Sequence, residues 1–340
     1  CLLLPAFFAY MEFRTLMNVK PFAKKMTYDS KVVSLGSCFS TEMGNRLLDR
    51  KYDVLLNPLG IAFNPMSIAM QIEKSLDLDF FKEDDFFCRD GIWRSFLLHS
   101  NFSGDLQKTI QIANNAIHDA NEYLRKTDFL LLTFGSAFVY RHKEKNFVVA
   151  NCHKEDANVF SRELVTVDEI TSVYNSLIDR IISVNPNVCI VLTVSPIRHL
   201  RDGLDENCLS KATLRLAVNS LVKRYAGNVV YFPSYEIMLD DLRDYRFYAE
   251  DMTHPSSVAV DYIFEKFSDA VMSADQIAVM RRVEKIVEGL NHRMTDPQSA
   301  NSKLFAAKLI MNMNELTGKY HVDFKREKMD LINRCGLEMV

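Results

Sequence analysis

The chain has 340 residues, 48% hydrophobic and 25% charged, which is the ordinary balance of a globular protein and enough for one large domain with an appendage. Lysine and arginine total 41 against 44 aspartates and glutamates, a net charge of −3. That excludes the basic footprint of a nucleic-acid binder or of a protein held on an anionic membrane surface.

Residues 1–20 form an N-terminal segment that opens with the apolar decamer CLLLPAFFAY. The decamer lacks a positive flank and is too short to span a bilayer as a helix. The preferred reading makes Met11 the start and the decamer upstream sequence; the alternative makes Cys1 the tail of an export signal. Seven cysteines, at positions 1, 38, 88, 152, 189, 208 and 335, show no metal-knuckle spacing. Free thiols in a reducing, cytoplasmic compartment are expected, with no metal and no cofactor; export is the alternative left by the N-terminus. No run in the body reaches membrane-spanning length.

Short aliphatic runs predict buried strands over 31–35, 53–56, 128–133, 188–194 and 229–232. Helical spacing fills the intervals, over 41–48, 66–76, 106–124, 167–184, 210–225 and 256–267. Strands alternating with helices predict a three-layer α/β/α sandwich on a mostly parallel sheet, occupying residues 21–273. Two insertions, 86–96 and 139–149, read as β-hairpins; the first carries the turn pair Asp90-Gly91. From 274 to 340 the pattern is helical only, with apolar positions Ile277, Met280, Val283, Ile286, Val287 and Leu290 on one face. A helical cap on the sheet is expected, and a homodimer through these helices is the alternative.

Ligands of open α/β sheets bind beyond the carboxyl ends of the strands. Those ends carry Gly36-Ser37-Cys38, Asn57-Pro-Leu-Gly60, Phe134-Gly-Ser136, Ser195-Pro-Ile-Arg-His199 and a late Asp251-Met-Thr-His254. Ser37 stands between a strand and a helix start, where backbone N–H groups and the helix dipole favour a developing anion. It could equally serve only as a cap. Asp251, three residues before His254 in a turn ending at Pro255, suits a carboxylate that orients an imidazole acting as general base. Cys38 is the rival nucleophile, but as the first residue of a helix it fits burial better. His199, beside Arg198 and Arg201, is a candidate substrate ligand or second base.

Five segments together resemble the GSCFA family, a branch of the SGNH (GDSL-type) hydrolases: Leu35-Gly-Ser-Cys-Phe-Ser40, Asn57-Pro-Leu-Gly-Ile-Ala-Phe-Asn-Pro65, Thr133-Phe-Gly-Ser-Ala-Phe-Val-Tyr140, Thr193-Val-Ser-Pro-Ile-Arg-His199 and Arg243-Asp-Tyr-Arg-Phe-Tyr-Ala-Glu-Asp-Met-Thr-His-Pro255. The resemblance implies a flavodoxin-like fold and ester hydrolysis, with carbohydrate O-acetyl groups as the substrate class. It also implies Ser37 as nucleophile, His254 as base, Asp251 as its partner, and an oxyanion hole from Ser37 and the Gly60 N–H. Two departures stand out. Leu35-Gly36-Ser37 replaces Gly-Asp-Ser, and Ala137 stands where an asparagine supplies a third oxyanion donor, so Ser136 or Asn64 is expected to substitute. Arg198 and His199 are expected to bind substrate. The partner called for is a small-molecule or glycan ester. Acyl transfer to a sugar hydroxyl, a catalytically impaired glycan-binding module and a Cys38 thiol hydrolase are the competing readings.

Overall fold

Five apolar runs become parallel strands: β1 (Lys31–Gly36), β2 (Asp53–Leu56), β3 (Phe129–Phe134), β4 (Cys189–Val194) and β5 (Val229–Tyr231). In the computed structural model, which describes residues 15–337, they form one sheet in the order β5-β4-β3-β1-β2. The readings for Met11 and the residues before it lie outside the described residues. Every residue of β3 and β4 is buried, as expected for strands covered on both faces. Period-2 alternation sorts their side chains between two layers. Val32, Phe129, Leu131 and Val191 face one, while Val33, Leu130, Leu132 and Leu192 face the other.

The first layer holds α1 (Cys38–Asp49) and α6 (Ser257–Val271); the second holds α2 (Pro65–Asp77), α4 (Val167–Val184) and α5 (Leu204–Arg224). Helix α3 (Leu106–Leu124) packs on α2 and closes a smaller cluster with Leu59, Phe81 and Leu98. Because β1 is followed by β2 on one side and by β3 on the other, the winding reverses between β1 and β3. That reversal opens a crevice at their carboxyl ends. Gly36 is required there: with φ at +142°, a Cβ would lie 2.3 Å from the Thr133 carbonyl oxygen.

The tail forms α7 (Ala274–Asn291), α8 (Ala300–Tyr320) and α9 (Lys325–Cys335). Its apolar faces, including Val283, Met313 and Leu331, join the buried cluster that contains Phe39 and Phe264. The tail thus continues the core of the first layer.

Three local expectations need correction. Helix α5 begins at Leu204, six residues before the predicted start, because Asp205 and Glu206 place acidic side chains against the positive first turn. Helix α6 begins at Ser257, with Ser256 as N-cap and Pro255 just outside. Each insertion has three strands where two were expected. Phe87–Arg89 and Ile92–Arg94 add Ser103–Gly104, while Phe138–His142 and Val148–Val149 add Phe160–Leu164.

Candidate active site

Ser37 lies at the end of β1 as the N-cap of α1, with φ −70° and ψ 179°. An N-cap serine ordinarily turns its hydroxyl back onto the helix, gaining about 1 kcal/mol. Asn64, Asp105, Thr166, Ser256, Ser273 and Ser299 all do so for their helices. Ser37 does not: its Oγ caps nothing, makes no hydrogen bond and is sealed from solvent. Its neighbour Cys38 opens α1 half-buried against the core, and burial pushes the thiol's pKa up, away from a reactive thiolate.

The second element is the turn Tyr248–Pro255, closed by a bridge between those two residues and by the Ala249 N–H donating to the His254 carbonyl at 2.7 Å. Within it Asp251 Oδ1 accepts from the N–H groups of Thr253 and His254, both at 2.9 Å. Its Oδ2 meets His254 Nδ1 at 2.5 Å. Those backbone donors, and then the imidazole, hold the Asp251 carboxyl well below its ordinary range, so it stays ionised. The carboxylate fixes Nδ1 as the protonated nitrogen and leaves Nε2 of His254 free to take a proton.

The third element comes from the loop after β4. His199 and Ser37 both border Gly135: a Cβ on that glycine would lie 3.2 Å from Ser37 Cβ and 3.3 Å from His199 Nε2. Gly135 therefore permits a close approach of the two side chains. Nε2 of His199 is sealed from solvent and makes no hydrogen bond. Burial, then the charges of Lys211, His254 and Arg162, push its pKa down to about 3, so the ring is neutral. Phe63 packs edge-on against it, with ring centres 6.1 Å apart.

Behind this group stands Lys211, which the sequence reading did not single out. It is 1% exposed, and its Nζ donates to the carbonyls of Gly135 at 2.6 Å and Ser195 at 2.7 Å. One ammonium thus ties the ends of β3 and β4 together. Burial pushes its pKa down to about 7. A signal was available, since Lys211 precedes Leu214, Val218 and Leu221 on the buried stripe of α5.

The expected oxyanion donors are occupied. The Ser37 N–H leans on the Thr133 carbonyl at 3.3 Å, and the Gly60 N–H closes a turn onto Asn57 at 2.8 Å. The Gly135 and Ser136 N–H groups both donate to Phe63, at 2.8 and 2.9 Å. Asn64 caps α2 with Oδ1 and donates its amide to Ser67 Oγ at 3.1 Å. Ser136 Oγ accepts from the Phe138 N–H at 3.0 Å and sits 3.3 Å from Ser210 Oγ. The Arg198 guanidinium, expected to face substrate, lies 4.0 Å from the Tyr248 ring centre, and its backbone N–H donates to Thr253 at 3.1 Å. It braces the His199 loop against the His254 turn.

Beside His199 opens a cleft of about 260 Å³ lined by Asn64, Phe138, Tyr140, Asn151, Arg201 and His199. Its lining combines aromatic rings with amides and guanidinium groups. Among the described residues there is no group of three or more histidine, cysteine or acidic side chains able to hold a metal ion, and no helix long and apolar enough to cross a membrane.

The sequence over residues 31–267 matches the model of the GSCFA family. No curated protein matches the chain. Among solved structures, the chain is similar to a carbohydrate esterase family 2 enzyme with a carbohydrate binding domain from Corynascus thermopiles (Myceliophthora fergusii), at 12% identity and a TM-score of 0.39, covering 76% of this chain and 69% of that one. It is similar to a carbohydrate esterase family 3 from Talaromyces cellulolyticus at 12% identity and 0.32, covering 74% and 98%. An acetyl xylan esterase from the rumen bacterium Butyrivibrio proteoclasticus aligns at 11% identity and 0.37, covering 72% and 64%.

Proposed function

The chain belongs to the GSCFA family, and on the site it carries we propose that it is a serine esterase cleaving an O-acyl ester, an O-acetyl group on a carbohydrate, through an acyl-enzyme. The observation that carries this reading is the Ser37 hydroxyl, withheld from its own helix cap at the sheet edge that also bears the ionised Asp251 and His254 pair. His254 Nε2 removes the Ser37 proton as Oγ attacks the carbonyl, and Asp251 stabilises the imidazolium that results. Collapse of the tetrahedral intermediate breaks the ester C–O bond, and the leaving alkoxide takes the proton from His254. Water, deprotonated by the same imidazole, then releases the acid and restores Ser37. The aromatic and amide lining of the adjacent cleft supports a sugar as the alcohol portion.

The test is Ser37→Ala assayed on p-nitrophenyl acetate, with fluorophosphonate labelling of the wild-type protein. Turnover is expected to vanish in the variant, and labelling to map to Ser37. Turnover at the wild-type rate in Ser37→Ala would reject the assignment.

A second reading is favoured by one observation: Ser37 is 0% exposed and has no hydrogen bond to His254. A ligand-binding module on the same fold accounts for that closed state. Catalytic hydrogen bonds often tighten only when substrate is bound, which reconciles it with the esterase. An unlabelled Ser37 together with intact oligosaccharide binding would select the module.

A further inference from the structure

We propose that His199, as a neutral imidazole, donates from Nε2–H to the oxyanion formed when Ser37 attacks, filling the place of the side-chain amide absent at Ala137. This rests on Ser37 being the nucleophile. When Oγ bonds to the carbonyl carbon, the carbonyl π pair moves onto oxygen and the serine proton goes to His254. His199 contributes a hydrogen bond throughout and transfers no proton. The negative charge returns to the carbonyl when the ester C–O bond breaks.

Two side chains that each bury a polar atom without a partner border Gly135: a Cβ there would lie 3.2 Å from Ser37 Cβ and 3.3 Å from His199 Nε2, and Ser37 Oγ and His199 Nε2 are the unpartnered atoms. Leaving a buried polar group unbonded is unfavourable, so two of them bordering the same glycine call for an occupant. A tetrahedral centre on Ser37 supplies one, because its oxygen lies one bond from the carbon that Oγ attacks. Of the donors the resemblance points to, Ser37, Gly60 and Ser136 are committed through their N–H groups and Asn64 through its amide, and the Gly135 N–H is committed as well.

Electrostatics separates this role from that of a base. Lys211, His254 and Arg162 all disfavour a positive charge on His199, and among the described residues no carboxylate is bonded to its Nε2. A ring held neutral this firmly is a weak proton acceptor but keeps its N–H donor at every working pH. Arg162, charged throughout, adds a positive field near the developing oxyanion. Lys211 acts as a positioning residue, since its bonds to Gly135 and Ser195 fix the glycine that both side chains border and the start of the loop that carries His199.

The experiment compares His199→Ala and His199→Gln with wild type and Ser37→Ala on p-nitrophenyl acetate, each checked by circular dichroism. His199→Ala should lose about 10²–10³ in kcat with little change in KM, the size of one missing oxyanion donor. His199→Gln should recover about tenfold or more of that loss, because an amide can donate a hydrogen bond but cannot shuttle a proton. A kcat for His199→Ala within about threefold of wild type, or two folded variants equally inactive, overturns the proposal. Should His199→Ala fail to fold, the ¹⁵N spectrum of the wild-type protein decides: a neutral ring with the proton on Nε2 is expected, and a proton on Nδ1 overturns it. Loss of turnover in Ser37→Ala with turnover retained in His199→Ala rejects the donor alone. Turnover retained in Ser37→Ala rejects the nucleophile and this proposal with it.

Discussion

Two imidazoles meet at the sheet edge in opposite surroundings. His254 is half exposed and held by an ionised carboxylate at 2.5 Å, whereas His199 is walled in, faces cations and has no carboxylate beside it. On the proposed mechanism the same side chain takes two roles: one ring accepts a proton, the other stays neutral and donates a hydrogen bond. Placing two like groups in different surroundings is one way a site can separate acid-base work from charge stabilisation.

The contrast can be broken most severely at His254. His254→Ala should lose about 10²–10⁴ in kcat, and His254→Gln should do no better, since no amide replaces a general base. The opposite response to glutamine at positions 199 and 254 is the sharpest expression of the difference. Assay of all four variants on one substrate checks it.

Next in size is Gly135→Ala. The added methyl would stand 3.2 Å from Ser37 Cβ, 3.3 Å from His199 Nε2 and 2.8 Å from the Phe63 carbonyl oxygen, wedging the two side chains apart. A displacement of about 1 Å at a reacting centre costs about 10² in rate, so kcat should fall by that order while KM moves little.

Smaller effects appear as stability against pH. The folded-state pKa of His199, about 3, lies below its ordinary 6.5, so the unfolded chain binds the extra proton as pH falls. Its contribution is complete above about pH 6.5 and is lost as pH drops toward 3. Urea midpoints should therefore fall more steeply in wild type than in His199→Gln across that window. For Lys211, with a folded pKa of about 7 against 10.5, the unfolded state holds more protons between those values. Stability relative to Lys211→Met should rise as pH climbs from 7 to 10.5, and a flat difference would show that the buried amine does not titrate there.

How far the site could be read beforehand varies residue by residue. Ser37 and His199 could be picked out as candidates because each follows a strand, whereas Asp251 and His254, about twenty residues past the last strand, stood out by their spacing in the turn before Pro255. Lys211 was hidden by its type, since a lysine in a helix reads as solvated although it shares a stripe with Leu214 and Val218. Arg162 was hidden by pattern: Phe160-Ser-Arg-Glu-Leu164 has only two apolar residues and becomes a strand by pairing with distant Phe138–His142. The oxyanion donors could not be assigned from residue type, because which N–H groups are already spent depends on turns that only the fold closes.

The order β5-β4-β3-β1-β2 also has a consequence in time. Ser37, Gly135, His199 and His254 stand at the ends of segments far apart in the chain, so no early local structure contains any two of them. Parallel pairing closes such loops late, after the entropy of each crossover has been overcome. During refolding, helical signal and compactness should therefore return before the proposed esterase turnover, whose recovery would mark the moment when the whole sheet has registered.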